Sequence, residues 1–174
     1  KNLITTYLGF GIGALNTLVL YVQFFQDKYY GLVGFLLSSA TLAMPFIAVG
    51  THNTLIKFYS KYSGRKQEVF LSFMLGLPLI ILIPTTILIT VFYSDIVDFL
   101  ASKNEIVRPY IIVIGIIAFS MAYFEIAYAY AKAQLHSVFG NIMNEIFHRL
   151  GVMILLLLFA IHLIDMDQFL YGLV

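Results

Sequence analysis

Residues 69–93 read VFLSFMLGLPLIILIPTTILITVFY and contain no charged side chain. About 20 consecutive apolar residues are enough for a helix to cross the hydrocarbon core of a bilayer. The stretch therefore predicts a transmembrane helix. Pro78 and Pro84 lie inside it and predict a bend, because each proline removes one backbone hydrogen bond. A membrane helix tolerates such bends where neighbouring groups satisfy the freed carbonyls.

The same layout extends over the whole chain, in which charged residues form short islands between long apolar runs. The sequence is 61% hydrophobic and 11% charged, with a mean hydropathy of +0.93. Soluble domains are about 45–50% apolar and about 25% charged. We therefore predict an all-α, polytopic transmembrane helix bundle. Its predicted spans are residues 3–25, 31–56, 69–93, 109–131, 142–164 and 168–174, the last of them truncated.

Both ends of the chain look cut, since it starts at Lys1 and ends inside a new apolar run. Residues 1–174 are therefore expected to form a partial N-terminal bundle of five full helices plus the start of a sixth. Residues 95–105 mix apolar and acidic positions between the third and fourth spans. They predict a short amphipathic helix that lies along the membrane interface.

The loops differ in basic residues, which predicts the orientation of the chain. The 57–68 loop carries four basic residues and one acidic residue, and residues 132–149 carry two basic residues and one acidic residue. On the opposite side the basic residues are Lys28, Lys103 and Arg108. Because cytoplasmic loops collect Lys and Arg, the N-terminus is expected in the cytoplasm.

Composition and motifs exclude several classes of function. The net charge of +1 gives no bulk case for nucleic-acid binding. Cysteine is absent, so disulfides and thiolate metal sites are excluded. No HExxH, P-loop or GxSxG motif is present, and we predict no catalytic residues and no cofactor. His136, His148 and His162 lack ligand spacing on one helix, so no metal site is predicted.

Glu125 is the sharpest single feature, because a carboxylate inside a membrane helix should face the bundle interior or a wet cavity. It is interpreted either as a coupling site for a proton or cation, or as a carboxylate that snorkels or pairs with a neighbouring helix. Both interpretations stay open. Tyr128 and Lys132 share its face at helical spacing, which favours a wet face continuous with the cytoplasm.

The start of the fifth span is strongly polar, and Glu145 and Arg149 are spaced to pair along one helix face. It is interpreted either as the mouth of a cavity that takes anionic head groups or as a snorkelled, salt-bridged helix end, which is the commoner case. Lys57 is interpreted either as a residue that attracts phosphate or as an anchor of the second span at the lipid head groups. The candidate substrate-path or coupling residues are Asn16, Asn53, Lys57, Glu125, Glu145, His148 and Arg149.

Three stretches carry a family resemblance: LGFGIGALNTLVLY at 8–21, YYGLVGFLLSSATLAMPFIAVGTHNTLIKFYSKY at 29–62, and NEIFHRLGVMI at 144–154. They resemble bacterial polysaccharide flippases of the multidrug/oligosaccharidyl-lipid/polysaccharide exporter superfamily, in a subgroup similar to the O-antigen flippase Wzx. The shared features are a glycine-rich first helix with Asn16, Tyr30-Gly31, mid-span Pro45, and a basic residue before two aromatics, which is Lys57 here.

The resemblance implies two related helix bundles around a central cavity, of which this chain would be most of the first. It implies a flippase of the bacterial inner membrane that moves polyprenyl-pyrophosphate-linked glycans to the outer leaflet by alternating access, often coupled to H+ or Na+. Relatives place cations in the cavity, and Lys57 and Arg149 are the candidates here. The alternatives are a cation-coupled drug or metabolite antiporter, with Glu125 as the coupling carboxylate, and a non-transporting membrane scaffold or polymerase.

Overall fold

The computed structural model describes residues 2–25, 27–102, 104–134 and 137–173, and within these ranges it contains helices and turns but no β-strand. The helices are α1 (Asn2–Leu15), α2 (Tyr21–Phe24), α3 (Asp27–Ala48), α4 (Thr51–Phe58), α5 (Arg65–Val91), α6 (Tyr93–Ala101), α7 (Ile111–Ala133), α8 (Ser137–Ile142), α9 (His148–Ala160) and α10 (Met166–Gly172). Two π-helical turns, Asn16–Leu20 and Met143–Phe147, continue α1 into α2 and α8 into α9. The all-α prediction is confirmed.

Five helical segments are long and apolar enough to cross a bilayer. They are Thr5–Phe24, Tyr29–Ala48, Arg65–Val91, Glu105–Ala133 and Gly140–Ala160. Each overlaps one of the five regions predicted to hold a full span. The chain is thus a multi-pass membrane protein. Residues 166–172, at the start of the truncated sixth span, form the short helix α10.

The second predicted span, 31–56, differs from the structure at its C-terminal end. Its helix α3 ends at Ala48, and Val49 and Gly50 have positive φ angles of 46° and 69°. The hydroxyl of Thr51 donates a hydrogen bond to the carbonyl oxygen of Ala48 at 2.7 Å, and α4 starts there as a separate helix. The left-handed backbone at residues 49–50 ends the helix, and glycine suits this conformation because it has no Cβ.

The chain divides into two compact units, the first unit (residues 1–35 and 135–174) and the second unit (residues 36–134). In the first unit, the first and fifth spans pack side by side. A Cβ atom added to Gly9 would lie 2.5 Å from the carbonyl oxygen of Glu145, and one added to Gly13 would lie 2.6 Å from Nη1 of Arg149. The two glycines thus let the helices approach closely.

An aromatic cluster closes the other end of this helix pair. The rings of Phe25 and Phe159 stack with centroids 4.8 Å apart, and Phe169 of α10 is fully buried against both. The chain reaches α10 through a capping box between Asp165 and Gln168. Since residue 9 lies beside 145 and residue 25 beside 159, the first and fifth spans run parallel.

The second unit has an apolar core, in which Leu55 of α4, Met74 of α5 and Ala129 of α7 are buried together. Tyr123 of α7 contacts the backbone of α5 beside Pro78. Pro78 leaves the carbonyl of Met74 without its intrahelical donor, and the hydroxyl of Tyr123 donates to the adjacent carbonyl of Leu75 at 2.9 Å. This hydrogen bond joins α7 to α5.

The predicted interfacial helix of residues 95–105 corresponds to α6, which begins two residues earlier at Tyr93 and ends at Ala101. Val97 and Ala101 are its buried positions. Asp98, on the opposite face, accepts a hydrogen bond from Arg108 at 3.0 Å, and this ion pair is exposed. The helix is therefore amphipathic, as its sequence predicts.

Candidate functional site

Arg149 lies near the middle of the fifth span. It follows Gly140, the first residue of that span, by nine residues, which corresponds to about 13 Å of helix rise. The hydrocarbon core is about 30 Å thick. The helical structure is continuous from Ser137 to Ala160, so Arg149 lies within it and not at its first turn.

The partner helix meets Arg149 at a similar position along its own apolar segment. Arg149 packs against Gly13 and Asn16, which lie on either side of the midpoint of the first span, Thr5–Phe24. Two parallel spans thus meet with their midpoints in register. A charged side chain at this depth is costly unless it is paired or faces a wet cavity, and such residues mark functional sites by default.

Three polar contacts hold Arg149 in place. Its Nη1 donates to the carbonyl oxygen of Gly9 at 2.8 Å, and its Nη2 lies 3.3 Å from Oε2 of Glu145. Nδ2 of Asn16 donates to the backbone carbonyl oxygen of Arg149 at 2.8 Å. The side chains of Arg149 and Glu145 nevertheless remain 34% and 28% exposed. The guanidinium is therefore anchored on one side and accessible on another.

Both helices are irregular where they meet. The π-helical turn of the first span begins at Asn16, and Glu145 lies within that of the fifth span, directly before Arg149's helix α9. Such π-turns are rare and frequently occur at functional sites, because the wider turn redirects side chains and backbone groups. Here both of them adjoin the same arginine.

Asn16 contributes an unsatisfied acceptor to this cluster. The residue is only 4% exposed, and its Oδ1 atom has no hydrogen-bond partner in the described part of the chain. Leaving a buried amide oxygen unpaired costs free energy. An apolar residue at this position would avoid that cost, so packing alone does not explain the asparagine.

The predicted candidates fall into two groups. Asn16, Glu145 and Arg149 come together in the first unit, with His148 exposed on the adjoining helical position. Asn53, Lys57 and Glu125 belong to the second unit. The structure therefore joins three of the seven candidates by direct contacts.

In the second unit, Glu125 is half-buried on α7, and neither ion pair found among the described residues involves it. The ammonium of Lys132 lies 3.7 Å from the ring centroid of Tyr128, which fits the predicted shared face of these two residues. Asn53 and Lys57 are exposed on α4. Their roles stay predictions.

Sequence reasoning did not connect Gly9, Gly13 and Thr5 with the arginine. The two glycines form a G-x-x-x-G pattern, which marks a helix face for close packing. Thr5, four residues before Gly9, is buried and extends the same small-residue face. The pattern in the sequence indicates which face of the first span packs closely against another helix. It does not indicate that this face contacts Arg149.

The cluster presents a partly accessible guanidinium, which suits an anionic group. Among the described residues, no group of three or more His, Asp or Glu side chains could hold a metal ion. Comparisons of the chain with protein-family models, with curated proteins and with solved structures find no match.

Proposed function

We propose that the chain is part of a flippase that moves a polyprenyl-pyrophosphate-linked glycan across the bacterial inner membrane by alternating access. The supporting observation is Arg149, a partly accessible guanidinium halfway along a membrane span. A transporter of a pyrophosphate-linked substrate needs a cation at this depth, because the head group has to cross the apolar core. The proposal places the N-terminus in the cytoplasm, as the distribution of basic residues predicts.

Arginine suits this substrate because its planar fork binds phosphate oxygens through two parallel hydrogen bonds. The guanidinium has five N–H donors. Gly9 and Glu145 engage Nη1 and Nη2, one contact each, which leaves further donors for a ligand. In the absence of substrate, Glu145 compensates the charge of Arg149. A bound pyrophosphate would compete with this carboxylate for the same guanidinium.

The test is leaflet transfer of a fluorescent polyprenyl-pyrophosphate sugar by the full-length protein in proteoliposomes. Arg149→Ala is expected to reduce transfer about 10-fold or more, because a hydrogen bond to a charged group is worth about 1.5–3 kcal/mol. Arg149→Lys is expected to retain part of the rate, since it keeps the charge but loses the fork. Arg108→Ala, which removes an exposed guanidinium outside the cluster, is the matched control.

Transfer by the Arg149→Ala variant at the unaltered rate, with equal protein incorporation, would contradict this role of the arginine. No transfer by the unaltered protein, with or without an ion gradient, would contradict the flippase proposal itself.

A cation-coupled drug or metabolite antiporter is the second candidate. It is favoured by Glu125, a half-buried carboxylate within the apolar helix α7 that belongs to neither of the ion pairs among the described residues. In this case Glu125→Gln would abolish gradient-driven transport while leaving folding intact. Transport of a soluble cationic drug that depends on Glu125 but not on Arg149 would select the antiporter over the flippase.

A further inference from the structure

A ten-residue segment of the second unit contains four basic residues. This segment, residues 57–66, is named here the basic connector. Its basic residues are Lys57, Lys61, Arg65 and Lys66, and all four are exposed. The two ion pairs found in the described part of the chain involve none of them. Among the described residues, no carboxylate therefore forms an ion pair with the basic connector.

The break at residues 49–50 decides where this charge lies. The second crossing, Tyr29–Ala48, is already long enough to span the bilayer, and the third crossing begins at Arg65. Helix α4 and the basic connector thus lie between two crossings. Since Arg65 and Lys66 occupy the first turn of the third span, the cations collect at one membrane interface.

Within the connector, two lysines share one aromatic ring. The ammonium groups of Lys57 and Lys61 lie 5.5 Å and 4.8 Å from the ring centroid of Phe58. The ring attracts each cation, but like charges four residues apart repel each other. An anion next to both ammonium groups would remove this repulsion.

The surroundings of the lysines are those of a membrane interface. Tyr62 is exposed and its ring lies 4.9 Å from that of Phe70, while Tyr59 packs edge-on against Tyr130. Tyrosine rings are enriched at the level of the lipid head groups. Gly64, with a φ of 57°, turns the chain back into the third span, so both ends of the connector remain at this level.

We propose that the basic connector is a binding surface for the phosphate head groups of anionic phospholipids, with Lys57 and Lys61 as its central pair. Clusters of basic residues next to a membrane span bind anionic lipid through its surface charge. Lipid is the source of phosphate favoured here because the cations are flanked by two membrane crossings and by interfacial tyrosines. This surface is independent of the proposed transport function.

The experiment compares spin-labelled phosphatidylglycerol with spin-labelled phosphatidylcholine in proteoliposomes of the full-length protein. The measured quantity is the ratio of the two lipids in the motionally restricted, protein-bound fraction. The unaltered protein is expected to select phosphatidylglycerol severalfold, and the double variant Lys57→Gln/Lys61→Gln is expected to lose most of this preference. Raised salt should weaken the preference, because surface charges are screened.

Two controls make the outcome specific. Lys132→Gln removes a lysine outside the connector, whose ammonium also rests on an aromatic ring, and it should leave most of the selectivity intact. Lys57→Arg/Lys61→Arg keeps the charge and should retain selectivity, which separates charge loss from misfolding.

An unchanged lipid ratio in the folded Gln double variant would overturn the proposal. So would displacement of the labelled phosphatidylglycerol by free inorganic phosphate at constant ionic strength, because the surface would then bind phosphate without regard to the membrane.

Discussion

The first and second units hold their helices together by different means. In the first unit, two spans meet through backbone at Gly9 and Gly13, and a charged side chain, Arg149, bridges them at mid-span. In the second unit, the core around Leu55 and Met74 is apolar, and the described polar contact between α5 and α7 joins Tyr123 to the carbonyl of Leu75.

This difference separates polar side chains that stabilise the fold from those that need another explanation. Tyr123 donates to a carbonyl of the neighbouring helix and is itself an uncharged side chain. Arg149 and Asn16 also donate to backbone carbonyls of a neighbouring helix. They bring a charge and an unpaired acceptor into the middle of a span, where apolar side chains would pack at lower cost. These groups are therefore the ones for which a functional role is the better explanation.

The largest expected loss of unfolding free energy comes from a substitution that disrupts the close packing of the first and fifth spans. Gly9→Ala places a methyl group 2.5 Å from the backbone carbonyl oxygen of Glu145, which has to move away. The expected loss is about 1–3 kcal/mol of unfolding free energy, as for other overpacked sites. Unfolding in mixed micelles with rising denaturing detergent measures it.

Gly11→Ala is the matched control for this change, because no atom lies within 4 Å of the added methyl group. It should be neutral or slightly stabilising, since alanine is the better helix former by about 0.5–1 kcal/mol. Equal effects of the two substitutions would show that close helix contact at Gly9 does not stabilise the first unit.

Smaller losses of unfolding free energy are expected when the ion pair of each unit is removed. Glu145→Gln leaves Arg149 without its compensating charge at mid-span, whereas Asp98→Asn removes an ion pair whose side chains are 69% and 51% exposed. We expect a loss on the order of 1 kcal/mol for the first change, because partial exposure screens the pair. The second should cost about 0–0.5 kcal/mol.

The same detergent-unfolding measurement compares how much each ion pair contributes to the unfolding free energy. Equal losses at residues 98 and 145 would place the Glu145–Arg149 pair in water and not inside the span.

The smallest expected loss of unfolding free energy concerns the hydrogen bond between α7 and α5 in the second unit. Tyr123→Phe removes the donor to the carbonyl of Leu75 and is expected to cost about 0.6 kcal/mol, the average for hydrogen bonds between membrane helices. Tyr93→Phe, at an exposed position, should change the unfolding free energy less. A faster hydrogen exchange of amides around Pro78 in the Tyr123 variant would locate the effect at the bend. If both substitutions have the same effect, the hydroxyl of Tyr123 does not stabilise the bend.

Hydropathy was sufficient for the five crossings, because burying a helix in lipid requires about 20 apolar residues in a row whatever the neighbours are. It failed at residues 49–50. The break there depends on two left-handed backbone conformations, and one of them belongs to Val49, which no propensity scale assigns to such a turn. The predicted span 31–56 is interrupted in sequence by Pro45 and Gly50, and the structure places the break at Val49 and Gly50.

The sequence by itself determined that this is an all-α, multi-pass membrane protein and where its charged islands lie, and it contains the G-x-x-x-G face of Gly9 and Gly13. Only the tertiary structure decided that this face meets Arg149, that the contact lies at the middle of both spans, and that Asn16 keeps an unpaired oxygen beside it. The physical reason is that hydropathy describes how strongly each residue by itself prefers lipid over water. The depth and partners of a charge depend instead on the register between two helices that are distant in sequence.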